Sequence, residues 1–194
     1  MSERPGPLVY VMGPSGAGKD SVLNLARERL APTTPVVFAH RYITRAAEAA
    51  GENHIALSHA EFALRRSNNL FAFHWRAHGN EYGIGCEVRA WREAGLGVVV
   101  SGSRQHFLAM GGIDRDTHPV LITAPPERLA ERLAARSRED SGAVAARLDR
   151  SEAYPVNDPR LMTIVNDGEL SDAAEAFISL LARLVCSRDA RHRA

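Results

Sequence analysis

The stretch Gly13-Pro14-Ser15-Gly16-Ala17-Gly18-Lys19 limits what this chain can fold into more than any other feature. It has the spacing G-x-x-x-x-G-K and follows the apolar run Leu8-Val9-Tyr10-Val11-Met12. After it, Val22, Leu23, Ala26 and Leu30 fall on one face of a helix that Pro32 closes. Glycines let such a turn curl until successive backbone N–H groups point inward, an arrangement suited to phosphate oxygens. The helix adds the positive end of its dipole and Lys19 adds a point charge. Strand, cradle and helix in this order open an α/β domain that grips a nucleotide by its phosphates; a glycine turn that binds nothing is the alternative.

One position departs from the usual pattern. The residue after the lysine is normally Ser or Thr, whose hydroxyl meets Mg²⁺. Here it is Asp20, followed by Ser21. A carboxylate beside a triphosphate is repelled unless a cation lies between them, which makes Asp20 a candidate Mg²⁺ ligand, direct or through water. Alternatively Asp20 complements the helix dipole. The sequence leaves both open.

Further short apolar runs lie at residues 36–39, 98–100, 120–123 and 161–165. Helical patterns alternate with them: one through Val88 and Trp91, one opened by Pro125-Pro126 with Leu129 and Leu133, one through Val144 and Leu148, and a closing one with Ala173, Phe177, Leu180, Leu181 and Leu184. Such alternation predicts an α/β fold with a parallel sheet covered by helices on both faces. A polar, basic stretch from His40 to Asn53 interrupts it. So do a short helix that Ser58-x-x-Glu61 would cap and a hairpin from Leu70-to-Trp75 through Gly79-Asn80 to Tyr82-Gly83-Ile84. These pieces predict a small subdomain over one sheet edge.

Composition narrows the function classes. A formal net charge of +1 argues against a nucleic-acid binder that works by bulk charge, so cations that matter must be placed locally. No apolar run approaches the roughly 20 residues of a membrane span, and Met1-Ser2-Glu3-Arg4-Pro5 lacks a signal-peptide core. Only Cys86 and Cys186 occur, in no metal-ligand spacing, so a reducing cytoplasm is the expected compartment. His74 and His78 are four apart, but on a strand and turn that spacing does not converge on a metal. The expected partner is a small molecule, with neither nucleic acid nor membrane.

With these residues in view, the chain from about Leu8 to Leu184 resembles the guanylate-kinase family. The loop Gly13-Pro14-Ser15-Gly16-x-Gly18-Lys19 is similar to that family's. Thr44-Arg45 with Gly51-Glu52 resembles its acceptor-phosphate segment, Gly79-Asn80-x-Tyr82-Gly83 its acceptor hairpin, and Val165-Asn166-Asp167 its nucleotide-side turn. The resemblance implies a P-loop kinase fold with a five-stranded parallel sheet. It implies one domain over residues 6–185, with an acceptor-binding subdomain at about 40–84 and an Arg-rich lid at about 134–150, before a polar, frayed tail over 186–194. It also implies ATP as phosphoryl donor with Mg²⁺, held by Gly13 to Ser21 and by Asn166 on the nucleotide side.

The departures bear on the acceptor. Guanylate kinases read guanine with acidic side chains, and the corresponding positions here hold Phe73 and Ser103. Phe has no acceptor for the N–H edge of guanine and Ser is a weak one. A second family arginine is replaced near Glu48. The chain is more similar to the ribose 1,5-bisphosphate phosphokinase subgroup, which makes 5-phosphoribosyl 1-diphosphate in phosphonate utilisation. That likeness runs through the loop including Asp20-Ser21, through Arg41-Tyr42-Ile43-Thr44-Arg45, through Glu52 to Ser58, and through Gly102-Ser103-Arg104.

A phosphate acceptor is already a nucleophile near neutral pH, since its second pKa is about 6. Alignment and charge neutralisation then suffice. The candidate acceptor contacts are Arg41, Arg45, His54, Tyr82 and Arg104. Arg132 and Arg136 share a helix face, with Arg138 and Arg147 beyond; Arg136 and Arg147 are the preferred cations for the transferring group, beside Lys19. The rival readings are a nucleoside-monophosphate kinase with an altered pocket and a non-catalytic scaffold module. The intact loop and Lys19 oppose the second.

Overall fold

A computed structural model describes residues 5–46, 53–111, 114, 116–136 and 154–192. The apolar opening run is strand β1 (Leu8–Met12), with all five residues buried. It lies at the centre of a five-stranded parallel sheet with β2 (Val36–Phe38), β7 (Gly97–Ser101), β8 (Thr117–Thr123) and β9 (Met162–Val165), in the order β2-β7-β1-β8-β9.

Side chains of β1 alternate between two cores, as the two-residue strand period requires. Val9 and Val11 pack under α1 (Lys19–Arg29) and the closing helix α6 (Leu170–His192), against Val22, Leu23, Ala26, Phe177, Leu180 and Leu181. Leu8, Tyr10 and Met12 face the other way, toward Val88 of α3 (Glu87–Glu93) and Phe107 of α4 (Arg104–Ala109). The expected two-sided sheet is therefore present. The last helix continues to His192, into the stretch from 186 where a polar, frayed tail is expected from the sequence.

The interrupting segments form a second sheet, ordered β4-β3-β6-β5, from β3 (Arg41–Ile43), β4 (His54–Ala56), β5 (Phe71–Ala77) and β6 (Asn80–Gly85). The hairpin turn falls one residue earlier than expected. His78 and Gly79 both have positive φ, 49° and 75°, and Ala77 pairs with Asn80, as a two-residue primed turn requires. Helix α2 (His59–Ser67) starts where the capping pattern placed it, with Ser58 Oγ accepting from Glu61 N at 3.1 Å. Beneath it Leu57, Phe62 and Phe71 form a separate small core.

Three elements escaped sequence reading. β3 and β4 are three residues each, too short to display a period, and they exist because each finds a partner: Arg41 pairs with Ile84 on one side and His54 on the other. α4 is a six-residue helix whose start is fixed by Ser103 Oγ accepting from His106 N. Among the described residues, no helix is long and apolar enough to cross a membrane.

Candidate active site

The glycine-rich loop leaves the carboxyl end of the central strand, where open parallel sheets place their ligands. Gly16 and Gly18 have φ of 87° and 77°, which glycine adopts without a Cβ penalty. Gly13 serves a different need: a Cβ there would lie 2.1 Å from the Ile122 carbonyl oxygen of β8, so only a glycine lets the loop leave the sheet so closely. Ala17 is buried with Ala124 and with Leu129 of α5 (Pro126–Arg136), which fastens the underside of the loop. Ser15 is exposed at the tip, Pro14 is buried, and Ser21 is half-buried in the first turn of α1.

Asn166, expected on the nucleotide side, is only 2% exposed and stands just after β9. Its N–H donates to Thr123 O at 2.7 Å and its Nδ2 to Ala17 O at 2.8 Å. The side-chain amide thus holds the loop from behind, while its buried Oδ1 has no hydrogen-bond partner. A polar atom left so is costly in a closed protein, and is expected where a ligand completes the site.

Lys19 and Asp20 meet at the mouth of the loop. Lys19 Nζ donates to Asp20 Oδ1 at 3.0 Å and to Ser101 Oγ, at the end of β7, at 2.5 Å. Arg41 Nη2, from β3 of the second sheet, donates to the same Asp20 oxygen at 2.8 Å. Carboxylate and hydroxyl oxygens are the donors a hard cation such as Mg²⁺ takes, so Asp20 and Ser101 fit that ion. Ser101 carried no signal in the sequence. It became visible only when β7 settled beside β1.

The acceptor candidates distribute unevenly. Arg41 is 8% exposed and lies beside Asp20 and the loop. Arg45 follows the end of β3, which Thr44 pins to β6 by accepting from Glu81 N at 2.9 Å and by its own N–H to Glu81 O. His54 sits opposite Arg41 in the sheet register and is half-buried. Tyr82 is 8% exposed with its ring stacked on Trp75 at 5.5 Å, so much of it is committed to packing. Arg104 is the first residue of α4, and burial lowers its guanidinium pKa. Glu81 ties the subdomain together, accepting from Arg66 at 2.9 Å and Arg76 at 3.2 Å.

Of the two preferred arginines, Arg136 ends α5 and its side chain lies outside the described residues, as do Arg138, Arg147 and residues 137–150 generally. Arg132, four residues earlier, lies at the loop. Its buried Nη1 has no hydrogen-bond partner and would be 3.7 Å from a Cβ at Gly18. The shared helix face identified the pair, but spacing alone could not rank its members.

The two positions that would read a base do other work. Phe73 lies edge-on to the Tyr10 ring at 6.3 Å and to His106 at 6.1 Å. Ser103 caps α4 and its carbonyl accepts from Tyr10 OH at 3.3 Å. Tyr10 OH also lies 2.9 Å from His106 Nδ1. Desolvation, with the neighbouring charge of His74 adding to it, pushes the His106 pKa down to about 4. The imidazole is therefore neutral in the fold near neutral pH. The unfolded chain takes up this proton near the ordinary value of about 6.5, so His106 contributes stability above that pH, lost as pH falls toward 4. His106→Gln is expected to flatten the acid limb of a melting-temperature profile between those two values, and an unchanged slope would refute the assignment.

Comparison with known proteins follows this geometry. A family model described as an AAA domain matches residues 9–154. Ribose 1,5-bisphosphate phosphokinase PhnN of Desulfomicrobium baculatum is 51% identical over 180 residues, covering 93% of this chain and 96% of the relative. The protein of the same name from Thiobacillus denitrificans is 45% identical, over 98% of this chain and 99% of its own. This chain belongs to the ribose 1,5-bisphosphate phosphokinase family. The crystal structure of guanylate kinase from Anaplasma phagocytophilum superposes with a TM-score of 0.67 at 22% identity, covering 94% of this chain and 87% of that one, and so shares the fold. The family's members are kinases, and this chain is a phosphotransferase with a P-loop nucleotide site.

Proposed function

We propose that the chain transfers the γ-phosphoryl group of ATP to the C1 phosphate of ribose 1,5-bisphosphate, giving 5-phosphoribosyl 1-diphosphate and ADP. The observation that carries this reading is the aromatic closure around Phe73. Where a base would need a carboxylate, the acceptor side presents Phe73, Tyr10 and His106 packed on one another, with Ser103 spent as a helix cap. In the second sheet Arg41 and Phe73 flank the same β6 residue, Ile84, and Arg45 follows the end of the Arg41 strand. A base-free sugar carrying two phosphates suits that combination.

An oxygen of the C1 phosphate attacks the γ-phosphorus, the bond to the β,γ-bridging oxygen breaks, and its electrons leave with ADP. The phosphate nucleophile needs no base, so the residues align and neutralise. The backbone N–H groups of the loop hold the β-phosphate, Lys19 bridges toward the γ-phosphate, and Asn166 keeps the loop in shape. Arg132 supplies charge at Gly18, and the family resemblance assigns Arg136 and Arg147 to the same task. Arg41, Arg45, His54, Tyr82 and Arg104 serve the acceptor; the guanidinium forks suit phosphate oxygens. Mg²⁺, when bound through Asp20 and Ser101, neutralises triphosphate charge.

The test is ADP release with Mg-ATP and a panel of ribose 1,5-bisphosphate, GMP, dTMP and CMP. A site that lacks partners for a base should favour the bisphosphate over GMP by about 100-fold or more in kcat/KM. Turnover of GMP above that of the bisphosphate would assign the chain to nucleotide kinases instead.

A further inference from the structure

Lys19 and Arg41 belong to different layers, one to the loop of the five-stranded sheet and the other to the second sheet. A single atom joins them. Asp20 Oδ1 accepts from Lys19 Nζ at 3.0 Å and from Arg41 Nη2 at 2.8 Å. The two cations are enclosed, with side chains 11% and 10% exposed, whereas Asp20 is 43% exposed. The carboxylate is thus the member a ligand reaches first. It borders a cleft that Arg41, Asn53 and Ser101 also line. A Ser or Thr at this position could offer an oxygen to a metal ion but carries no charge with which to hold two cations.

We propose that Asp20 is a positioning residue that couples loading of the donor loop to the setting of Arg41 for the acceptor. This rests on the reading that the loop takes ATP and that Arg41 faces the acceptor. With the loop empty, Asp20 holds both cations, and Ser101 steadies Lys19 from the far side. A triphosphate draws Lys19 away, since its oxygens carry more charge than one carboxylate. Asp20 is then balanced by Arg41 and by the divalent cation that accompanies the nucleotide. Donor occupancy thereby changes the electrostatic environment of an acceptor-side arginine through one shared oxygen. By reciprocity, a change at Arg41 must alter donor affinity.

That reciprocity gives a test without any acceptor. Binding of the β,γ-imido analogue of ATP is measured by calorimetry, with Mg²⁺ and with EDTA, for the wild type, Arg41→Gln, Asp20→Asn and the double variant. Removing the Arg41 charge takes from Asp20 one of the two cations described at its Oδ1. Asp20 then competes harder with metal-free triphosphate and welcomes the metal complex. The affinity advantage conferred by Mg²⁺ should rise about three- to tenfold in Arg41→Gln and change less than about twofold when Arg41→Gln is made in Asp20→Asn. Arg41→Lys, which keeps the charge and loses the fork, should give a smaller change in the same direction and serves if the buried glutamine prevents folding. An advantage unaltered by Arg41→Gln, or altered equally with and without Asp20, overturns the coupling. Failure of the analogue to bind the wild type overturns it together with the loop assignment. Failure of ribose 1,5-bisphosphate as substrate leaves this cycle standing, because no acceptor enters it.

Discussion

Lys19→Ala is expected to lower kcat/KM for phosphoryl transfer by about 10³-fold, the scale on which removal of one preorganised charge-stabilising donor acts. The ammonium lies 3.0 Å from Asp20 and 2.5 Å from Ser101, both polar partners at the mouth of the loop, and supports none of the apolar cores. Its loss should therefore leave the melting temperature within a few degrees of the wild type, while ADP release with Mg-ATP and the bisphosphate nearly ceases. The variant also leaves Asp20 with Arg41, so the second sheet keeps its tie to α1. Full activity in Lys19→Ala would remove the loop from the mechanism altogether.

Gly13→Ala is expected to damage stability and nucleotide binding together. The added methyl would meet the Ile122 carbonyl oxygen at 2.1 Å, and that atom is strand backbone, near the end of β8, with no rotamer to turn aside. Either β8 or the loop must shift. Overpacking of this sort costs about 2–3 kcal/mol, which for a chain of this size lowers the melting temperature by roughly 5–10 °C. Because the shift falls where β1 becomes the phosphate cradle, affinity for the ATP analogue should drop at least tenfold even at temperatures where the variant is folded. A variant that melts early yet binds nucleotide normally would mean that the loop is mechanically independent of β8.

The architecture makes the division of labour between the sheets intelligible. The five-stranded sheet is buried on both faces and rigid, and its central strand delivers the loop to a fixed place. The second sheet has its own small core around Phe62 and Phe71 and a network of arginines on Glu81. Where the two meet, Arg41 donates to Asp20 and Tyr42 to Glu87 of α3. An apolar seam, in which Tyr10, Phe73, Trp75 and His106 interlock, joins the two.

Much of this was legible in the residues. The run from Gly13 to Lys19 announced a nucleotide cradle because few side-chain patterns permit one, and because the apolar strand before it and the amphipathic helix after it complete the unit. The Ser58 cap, the hairpin near Gly79, the opening of α5 at its prolines and the apolar face of the closing helix were read correctly for the same reason: each is a local matter, decided by residues within a few positions of one another. The family resemblance marked Phe73 and Ser103 as the positions to compare with base readers, and their chemistry then made them poor ones.

What the chain order could not supply is everything that depends on who meets whom. β3 and β4 are too short to carry a period and form only because β6 offers β3 an edge and β3 offers one to β4. Ser101 is an ordinary strand residue until the pairing of β7 with β1 sets its hydroxyl against Lys19, 82 positions away. Arg132 and Arg136 are equivalent by spacing, and it took the packing of α5 against Ala17 to set Arg132 at Gly18. Asp20 had two readings on paper, a metal ligand or a helix-dipole partner, and neither included Arg41. Local composition settles which elements form and which chemistry they carry. The convergence of charges from separate layers on one carboxylate oxygen is a property of the folded surface, because electrostatic contacts at 3 Å are set by packing distance and leave no trace in sequence separation.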